Sequence, residues 1–414
     1  MKRLTYKHAI FAGRKTLELK SADSRSRSNT EEFAHDSPAA FYQDGAFNAD
    51  AEATSWDRVI TRYQIAMSGT TFGVVVSEFP EVAAKLACVC SIFARMSPEQ
   101  KGQLVGLLQG VDYIVAMCGD GANDCGALKA AHAGISLSEA EASIASPFTS
   151  QTPNIRCVPT VVREGRAALV TSFGVFKYMA GYSMTQFFTV CLLYWLGTNL
   201  SDFQFLYIDL FLITTFAIFF GYTEACEILV PKPPPTRILS VPSVLSVIYQ
   251  LIVIAAFQIF IYEFVEFQPW YVPYTPPEGD EDNFYSFKGT CTFWVSVYQY
   301  IILVVVYSKG FPYRKPLFSN RMLTASLVLL TALSVWWTLY PPPFIETWLN
   351  LMPAPFLLFR GFILLLAALN FLVCWAGERY LVDWLLVEKG DRKGWFGKKP
   401  RRYEDILTQI GQSV

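Results

Sequence analysis

Apolar residues gather into six long stretches in the second half of the chain, at 169–196, 203–221, 244–262, 291–307, 322–340 and 356–376. Each is near the ~20 residues that an α-helix needs to cross a bilayer, so six membrane-spanning helices are expected. The first is longer than required and carries Lys177 in its early turns, which suits a helix that rises from a soluble domain before it enters lipid. Upstream the apolar runs are short. Val111–Met117 (V-D-Y-I-V-A-M) has the length and β-branched content of a buried parallel strand. Gly119 and Gly121 then let the chain turn sharply, and Cys125–Ala133 has helix-forming composition. Val74–Val76 and Ala87–Phe93 read as strands or tightly packed elements, because short apolar runs do not separate helix from strand. Residues 1–60 are polar, with a Ser/Arg/Asp-rich patch at Ser21–Ser28 and an Ala/Asp-rich patch at Phe47–Ser55, and are expected to form a loop or a disordered insertion.

Polar punctuation sharpens this outline. In Ala94–Lys101 (A-R-M-S-P-E-Q-K), Ser97 can cap a helix, Pro98 suits its first turn and Gln100 completes a capping box. Connections between the apolar stretches sort by charge. Pro231–Val241, Ser308–Arg321 and the tail from Gly377 are basic; Glu263–Gly289 carries an acidic cluster at Glu278–Asp282, and Pro341–Pro355 is nearly uncharged. The positive-inside rule then puts the soluble domain, the basic loops and the C-terminus in the cytosol. Asn199-Leu200-Ser201 is a glycosylation sequon on the far side, expected to go unused because it lies so close to the membrane.

Composition agrees with a chain largely in lipid: 52% of residues are apolar and only 17% charged. A net charge of −1 offers no attraction to nucleic acid. The nine cysteines form no C-x-x-C pairs and read as reduced, structural thiols. Met1–Lys20 has dispersed basic residues and no central apolar run, so it does not read as a signal peptide.

Two groups of residues could carry chemistry. Asp120 and Asp124, at a strand end and a helix start, sit where doubly wound sheets gather their active sites, and two carboxylates there can hold Mg²⁺. The same residues also fit a G-D-G turn followed by an N-D helix cap. Lys101 stands in a first helical turn, where a cation is unfavourable against the helix dipole unless it is simply solvated. Inside the second apolar stretch, Asp209 has no basic residue nearby, and ionisable groups in lipid are costly and often functional. Asp202, Phe205 and Asp209 are spaced i, i+3, i+7 on one face, with the carboxylates about 10 Å apart along the axis. Tyr182 and Gln186 share a face of the preceding stretch. Facing stripes of this kind suit an extended organic polycation better than a compact metal ion. Asp202 could equally be an interfacial residue, and Tyr182 and Gln186 could be helix–helix contacts.

The run Met117–Leu137, M-C-G-D-G-A-N-D-C-G-A-L-K-A-A-H-A-G-I-S-L, resembles the hinge motif of P-type transport ATPases. That resemblance implies an α/β haloacid-dehalogenase-like (Rossmannoid) partial phosphorylation domain followed by an α-helical six-span transmembrane bundle. It also implies Mg²⁺ at Asp120 and Asp124, ATP as the phosphoryl donor, Lys101 neutralising the transferred group, and Arg95 and Asn123 facing nucleotide or phosphate. The runs F-K-Y-M-A-G-Y-S-M-T-Q-F, D-F-Q-F-L-Y-I-D-L and S-K-G-F-P-Y-R-K-P-L-F resemble the polyamine-transporting subfamily. There, residues at the positions of Tyr182, Gln186, Asp202, Phe205 and Asp209 line the path of a spermine- or spermidine-like substrate. The similarity runs from about Tyr63 to Lys393.

The sequence departs from the family in having no D-K-T-G-T, so the acceptor aspartate is not in it, nor is the T-G-D segment. The expected organisation is a polar segment at 1–60, a partial phosphorylation domain at 61–166, a transmembrane domain at 167–378 and a basic cytosolic tail at 379–414. The expected function is ATP-driven polyamine transport by the C-terminal part of an enzyme whose N-terminal half is its partner, in a late endosomal, lysosomal or vacuolar membrane with lipid around it. An inert membrane scaffold and transport of inorganic cations remain open alternatives.

Overall fold

A computed structural model describes residues 65–137, 144, 146–275, 284–389 and 401–412. The polar segment 1–60, the acidic cluster Glu278–Asp282 and much of the basic tail lie outside the described residues. Two units divide the chain, Met1–Val158 with Lys398–Val414, and Pro159–Gly397.

The first unit alternates short parallel strands with helices. Strand β1 (Ile65–Ser68) leads into helix α1 (Gly69–Glu78), which starts where the Ser68 hydroxyl accepts from the Thr71 N–H at 3.3 Å. Val74–Val76 is therefore helical: Phe72 and Val75, three residues apart, turn one face into the core. Helix α2 (Pro80–Val89) takes the first part of Ala87–Phe93, and the remainder becomes β2 (Cys90–Ala94), paired with β1. Helix α3 (Pro98–Gly110) follows.

Val111–Met117 is not one strand. Val111 and Asp112 donate their backbone N–H groups to Leu108 and Gln109, closing α3, and Asp112 turns away at φ 69°. Strand β3 is Ala116–Gly119. It is not buried as expected, since Ala116 is exposed and Met117 and Cys118 are half-buried. Helix α4 (Cys125–Ala130) ends earlier than its composition predicts, because the His132 N–H bonds to Val115 O and leads into β4 (Ala133–Ser136). β5 (Phe148–Thr149) completes a β3-β4-β5 sheet separate from β1-β2.

In the second unit, α5 (Cys157–Leu196, its first two residues counted with the first unit) runs 40 residues. Ala167, Gly174, Tyr178, Gly181, Thr185, Thr189 and Leu193 form its buried stripe. Its glycines allow close approach: a Cβ on Gly174 would lie 3.0 Å from the Phe220 ring, and one on Gly181 would lie 3.1 Å from Leu303. Next come α6 (Asp202–Phe220), α7 (Val241–Glu266), α8 (Phe287–Tyr307), α9 (Arg321–Leu339), the short α10 (Pro343–Trp348) and α11 (Leu357–Ala376), which continues as a π-helical segment, Gly377–Lys389.

Among the described residues, five helices are long and apolar enough to cross a membrane: α6, α7, α8, α9 and α11 with its extension. The predicted stretch 169–196 is helical within α5. Tyr182, Ser183, Thr185 and Gln186 make its middle more polar than those five. Helix α8 is the axis of the unit, buried almost end to end. Polar groups inside the unit are joined in a chain: the Thr189 hydroxyl donates to Gln258 Oε1 at 3.1 Å, and the Gln258 amide to Gln299 Oε1 at 2.8 Å.

Candidate catalytic and transport sites

In the first unit the sequence pins the site down through short-range geometry. The Ser97 hydroxyl accepts from the Gln100 N–H at 3.2 Å, and Gln100 Oε1 accepts from the Ser97 N–H at 3.0 Å, so the capping box forms. Gln100 also donates through its amide to Gly69 O at 2.8 Å, tying α3 to the start of α1. A side chain on Gly69 would collide with the Arg95 carbonyl. One residue beyond Gln100, the Lys101 ammonium donates to Asp124 Oδ1 at 2.6 Å. Asp124 is buried and Lys101 about one-third exposed, so this pair is shielded enough to fix both groups. The pair also offsets the unfavourable position of Lys101 at the start of α3.

Asp124 is pressed against the turn. A Cβ on Gly119 would sit 2.7 Å from its carboxylate, so only glycine fits there. Asp120 and Asn123 stand exposed on either side of Gly121. Arg95, just past β2, is exposed and held at φ 57°, a left-handed conformation that costs a non-glycine residue about 1 kcal/mol or more. The Cys118 thiol is pushed above its ordinary value by burial, with Cys157, Asp120 and Asp124 adding to the effect. The donor set at Asp120 and Asp124 is hard oxygen from one free and one lysine-paired carboxylate. That fits part of a Mg²⁺ shell, since this ion takes one or two protein carboxylates and fills its remaining positions with water and phosphate.

In the second unit, α5 and α6 bring Gln186 and Asp209 together: the Gln186 amide donates to Asp209 Oδ1 at 3.5 Å. Asp209 is exposed and lies in a π-helical stretch, Tyr207–Thr214, where the Thr214 hydroxyl donates to the Asp209 carbonyl at 2.7 Å. Such widened turns recur at functional sites. Tyr182, one turn before Gln186, and Phe205 are both half-buried against the core. Asp202 opens α6 and is exposed; among the described residues it makes no hydrogen bond to the other four. Its neighbours serve structure, with Ser201 and Gln204 forming a capping box and the Gln204 amide donating to Leu349 O at 2.8 Å.

No protein-family model matches the chain. Curated relatives do. "Probable cation-transporting ATPase catp-6" of Caenorhabditis elegans is 52% identical over 353 residues, which is 85% of this chain and 28% of that protein. "Polyamine-transporting ATPase 13A2" of Homo sapiens is 48% identical over 277 residues, 67% of this chain and 24% of that protein. "Polyamine-transporting ATPase 13A3" of Homo sapiens is 43% identical over 321 residues, 72% and 26% of the two. The chain's relatives are P-type cation- and polyamine-transporting ATPases. It spans about a quarter of the length of the curated relatives it matches.

This P-type ATPase relative also contains polar groups that the linear pattern did not single out. Tyr300 on α8 is fully buried, and its hydroxyl lies in the electrostatic neighbourhood of both Asp209 and Tyr182. An ionic cluster around the buried Glu378 joins α5, α7, the loop after α8 and the end of α11. Lys309 pairs with Glu378 at 2.8 Å and Asp383 at 2.6 Å, Lys177 lies 4.0 Å from Glu378, and the Ser246 hydroxyl donates to Glu378 Oε2 at 2.8 Å. Burial of Lys309 works against its charge, but Glu378 and Asp383 outweigh it and raise its pKa. In the sequence, Lys309 counted only as a loop charge and Glu378 fell at the boundary of the tail. Lys177 gave the one signal, a cation in an apolar helix.

Proposed function

We propose that this chain supplies the hinge of a phosphoryl-transfer site and the substrate-binding helices of an ATP-driven polyamine transporter, in which an aspartate outside this sequence accepts the phosphoryl group. The observation that carries the reading is the meeting of Gln186 and Asp209 on α5 and α6, with Tyr182 one turn away and a second carboxylate, Asp202, seven residues earlier. Carboxylates spread along a helix, beside aromatic and amide groups, suit ammonium groups spaced along a chain such as spermine. The relatives' names support the class of cargo. On this reading α5 is a sixth membrane helix, the basic loops and the first unit face the cytosol, and the membrane is late endosomal, lysosomal or vacuolar.

On the catalytic side, Asp120 would hold Mg²⁺ with Asp124 behind it, and the bound ion would supply positive charge against the phosphate. Lys101 offsets the charge of the group in transfer, and Asp124 fixes the lysine's position. Arg95 and Asn123, both exposed beside that pair, face the nucleotide. Phosphorylation then biases two conformations, and α5 carries the bias toward Asp209.

The test is ATP hydrolysis by the intact gene product in proteoliposomes, with spermine, spermidine or divalent metal added in turn. The proposal expects stimulation by polyamine. Stimulation by metal alone would favour an inorganic cargo, and no hydrolysis under any condition would favour an inert scaffold.

A further inference from the structure

Where α7 ends and α8 begins, a lysine is held in a place that helix electrostatics disfavours. Lys288 is the second residue of α8, at the positive end of that helix dipole, and is only 5% exposed. Its ammonium donates at 2.7 Å to Glu266 Oε2, on the last residue of α7. It also lies 4.1 Å from the centre of the Tyr262 ring and 5.8 Å from that of Tyr271. Both rings are within reach of a cation–π contact. Tyr262 is buried and Tyr271 half-buried, but the Glu266 side chain is 55% exposed. The carboxylate side of this cage is therefore open to solvent. Among the described residues the ammonium has that one acceptor for its three donors.

The lining of the cage selects its occupant. Two ring faces and a carboxylate attract a cation and repel an anion. A compact metal ion needs several converging oxygens, which one carboxylate does not supply. An alkylammonium fits, and the Lys288 side chain is one. We propose that Tyr262, Tyr271 and Glu266 form an ammonium site of their own, apart from the Gln186–Asp209 pair, in which Lys288 holds the place of an organic diamine or polyamine from solution. The incoming ammonium takes the Glu266 carboxylate and the ring faces, and the flexible lysine stem lets its head move out to water. Glu263 is exposed and three residues before Glu266, a separation of about 5–6 Å on a helix. It receives a second ammonium joined to the first by a short alkyl chain. Residues 267–286 add the carboxylates of Glu278, Asp280, Glu281 and Asp282 and no basic residue, which draws polycations toward this connection. The cage stands on its own geometry and does not depend on the proposed function.

The experiment measures binding of radiolabelled putrescine to the purified full chain in detergent by equilibrium dialysis. Asp209→Asn is present throughout, so that the other carboxylate is silent. Lys288→Ala should bind putrescine saturably and about tenfold more tightly than the chain that keeps Lys288, whose tethered ammonium has to be displaced first. Adding Glu266→Gln should weaken that binding about tenfold, the scale of one charged hydrogen bond. Tyr262→Leu should weaken it about fivefold, while Tyr262→Phe, which keeps the ring face, should leave it unchanged. If Lys288→Ala does not fold, Lys288→Gln, which keeps the stem without the charge, is measured in its place. Equal affinity with and without Lys288, no saturable binding by either variant, or indifference to both Glu266→Gln and Tyr262→Leu would overturn the site. Displacement of putrescine by an equal concentration of Mg²⁺ would overturn the assignment to an organic ammonium.

Discussion

Lys101–Asp124 and Gln186–Asp209 are each separated by 23 residues in the chain, yet they are opposite kinds of site. The first is a closed ion pair at 2.6 Å, its carboxylate buried and braced by a turn that only glycine fits. The second is an exposed carboxylate facing a neutral amide at 3.5 Å. A site that stabilises charge during reaction gains from being fixed beforehand, because no reorganisation is then needed. A site that must take up and release a cation gains from a carboxylate whose charge is not already satisfied. On the proposed function, the contrast suits chemistry in the first unit and cargo in the second.

That contrast can be broken at several points. Lys101→Ala in the intact gene product should cost about a hundredfold or more in turnover, the scale of losing one preorganised electrostatic contact. In the isolated chain the same change leaves a buried carboxylate unpaired, at about 1–3 kcal/mol of stability read from denaturant unfolding. Gly119→Ala should destabilise the first unit by about 1–3 kcal/mol, since the new methyl meets the Asp124 carboxylate. Equal stability of that variant would show that the turn is not braced as described.

Ser97→Ala removes half of the capping box and should cost about 1 kcal/mol. Asp209→Asn, at an exposed carboxylate, should change stability by less than about 0.5 kcal/mol. A larger loss would mean that Asp209 is structural. A pH measurement sharpens the first unit further. Because the folded pKa of Cys118 is raised, the fold favours the protonated thiol. Its contribution to stability is present below the ordinary thiol value and is lost as pH rises through the folded one. Alkylation of Cys118 should accordingly lag that of an unstructured cysteine until the pH passes that range; equal rates at pH 8 would contradict the shift.

Local grammar was legible in the sequence wherever the partners are close in the chain. The Ser97–Gln100 box and the turn around Gly119 form as read, because both depend on residues a few positions apart. Four apolar stretches appear as helices of matching apolarity within a few residues of their expected limits, and 356–376 does too, prolonged by its π-helical end. The readings that failed needed tertiary information. Val111 and Asp112 are apolar-run residues by pattern, yet they close α3, since the carbonyls of that helix have to be satisfied. The strand after them is half-exposed and, among the described residues, pairs on one side only, which no property of the strand itself announces. The ionic cluster around Glu378 joins residues from four separate segments, so spacing along the chain could not have found it.

The most direct test of the account is spermine-stimulated ATP hydrolysis by Asp209→Asn in the intact gene product. The account predicts that the stimulation disappears while phosphorylation by ATP without spermine remains. Full stimulation by spermine with asparagine at that position would contradict it.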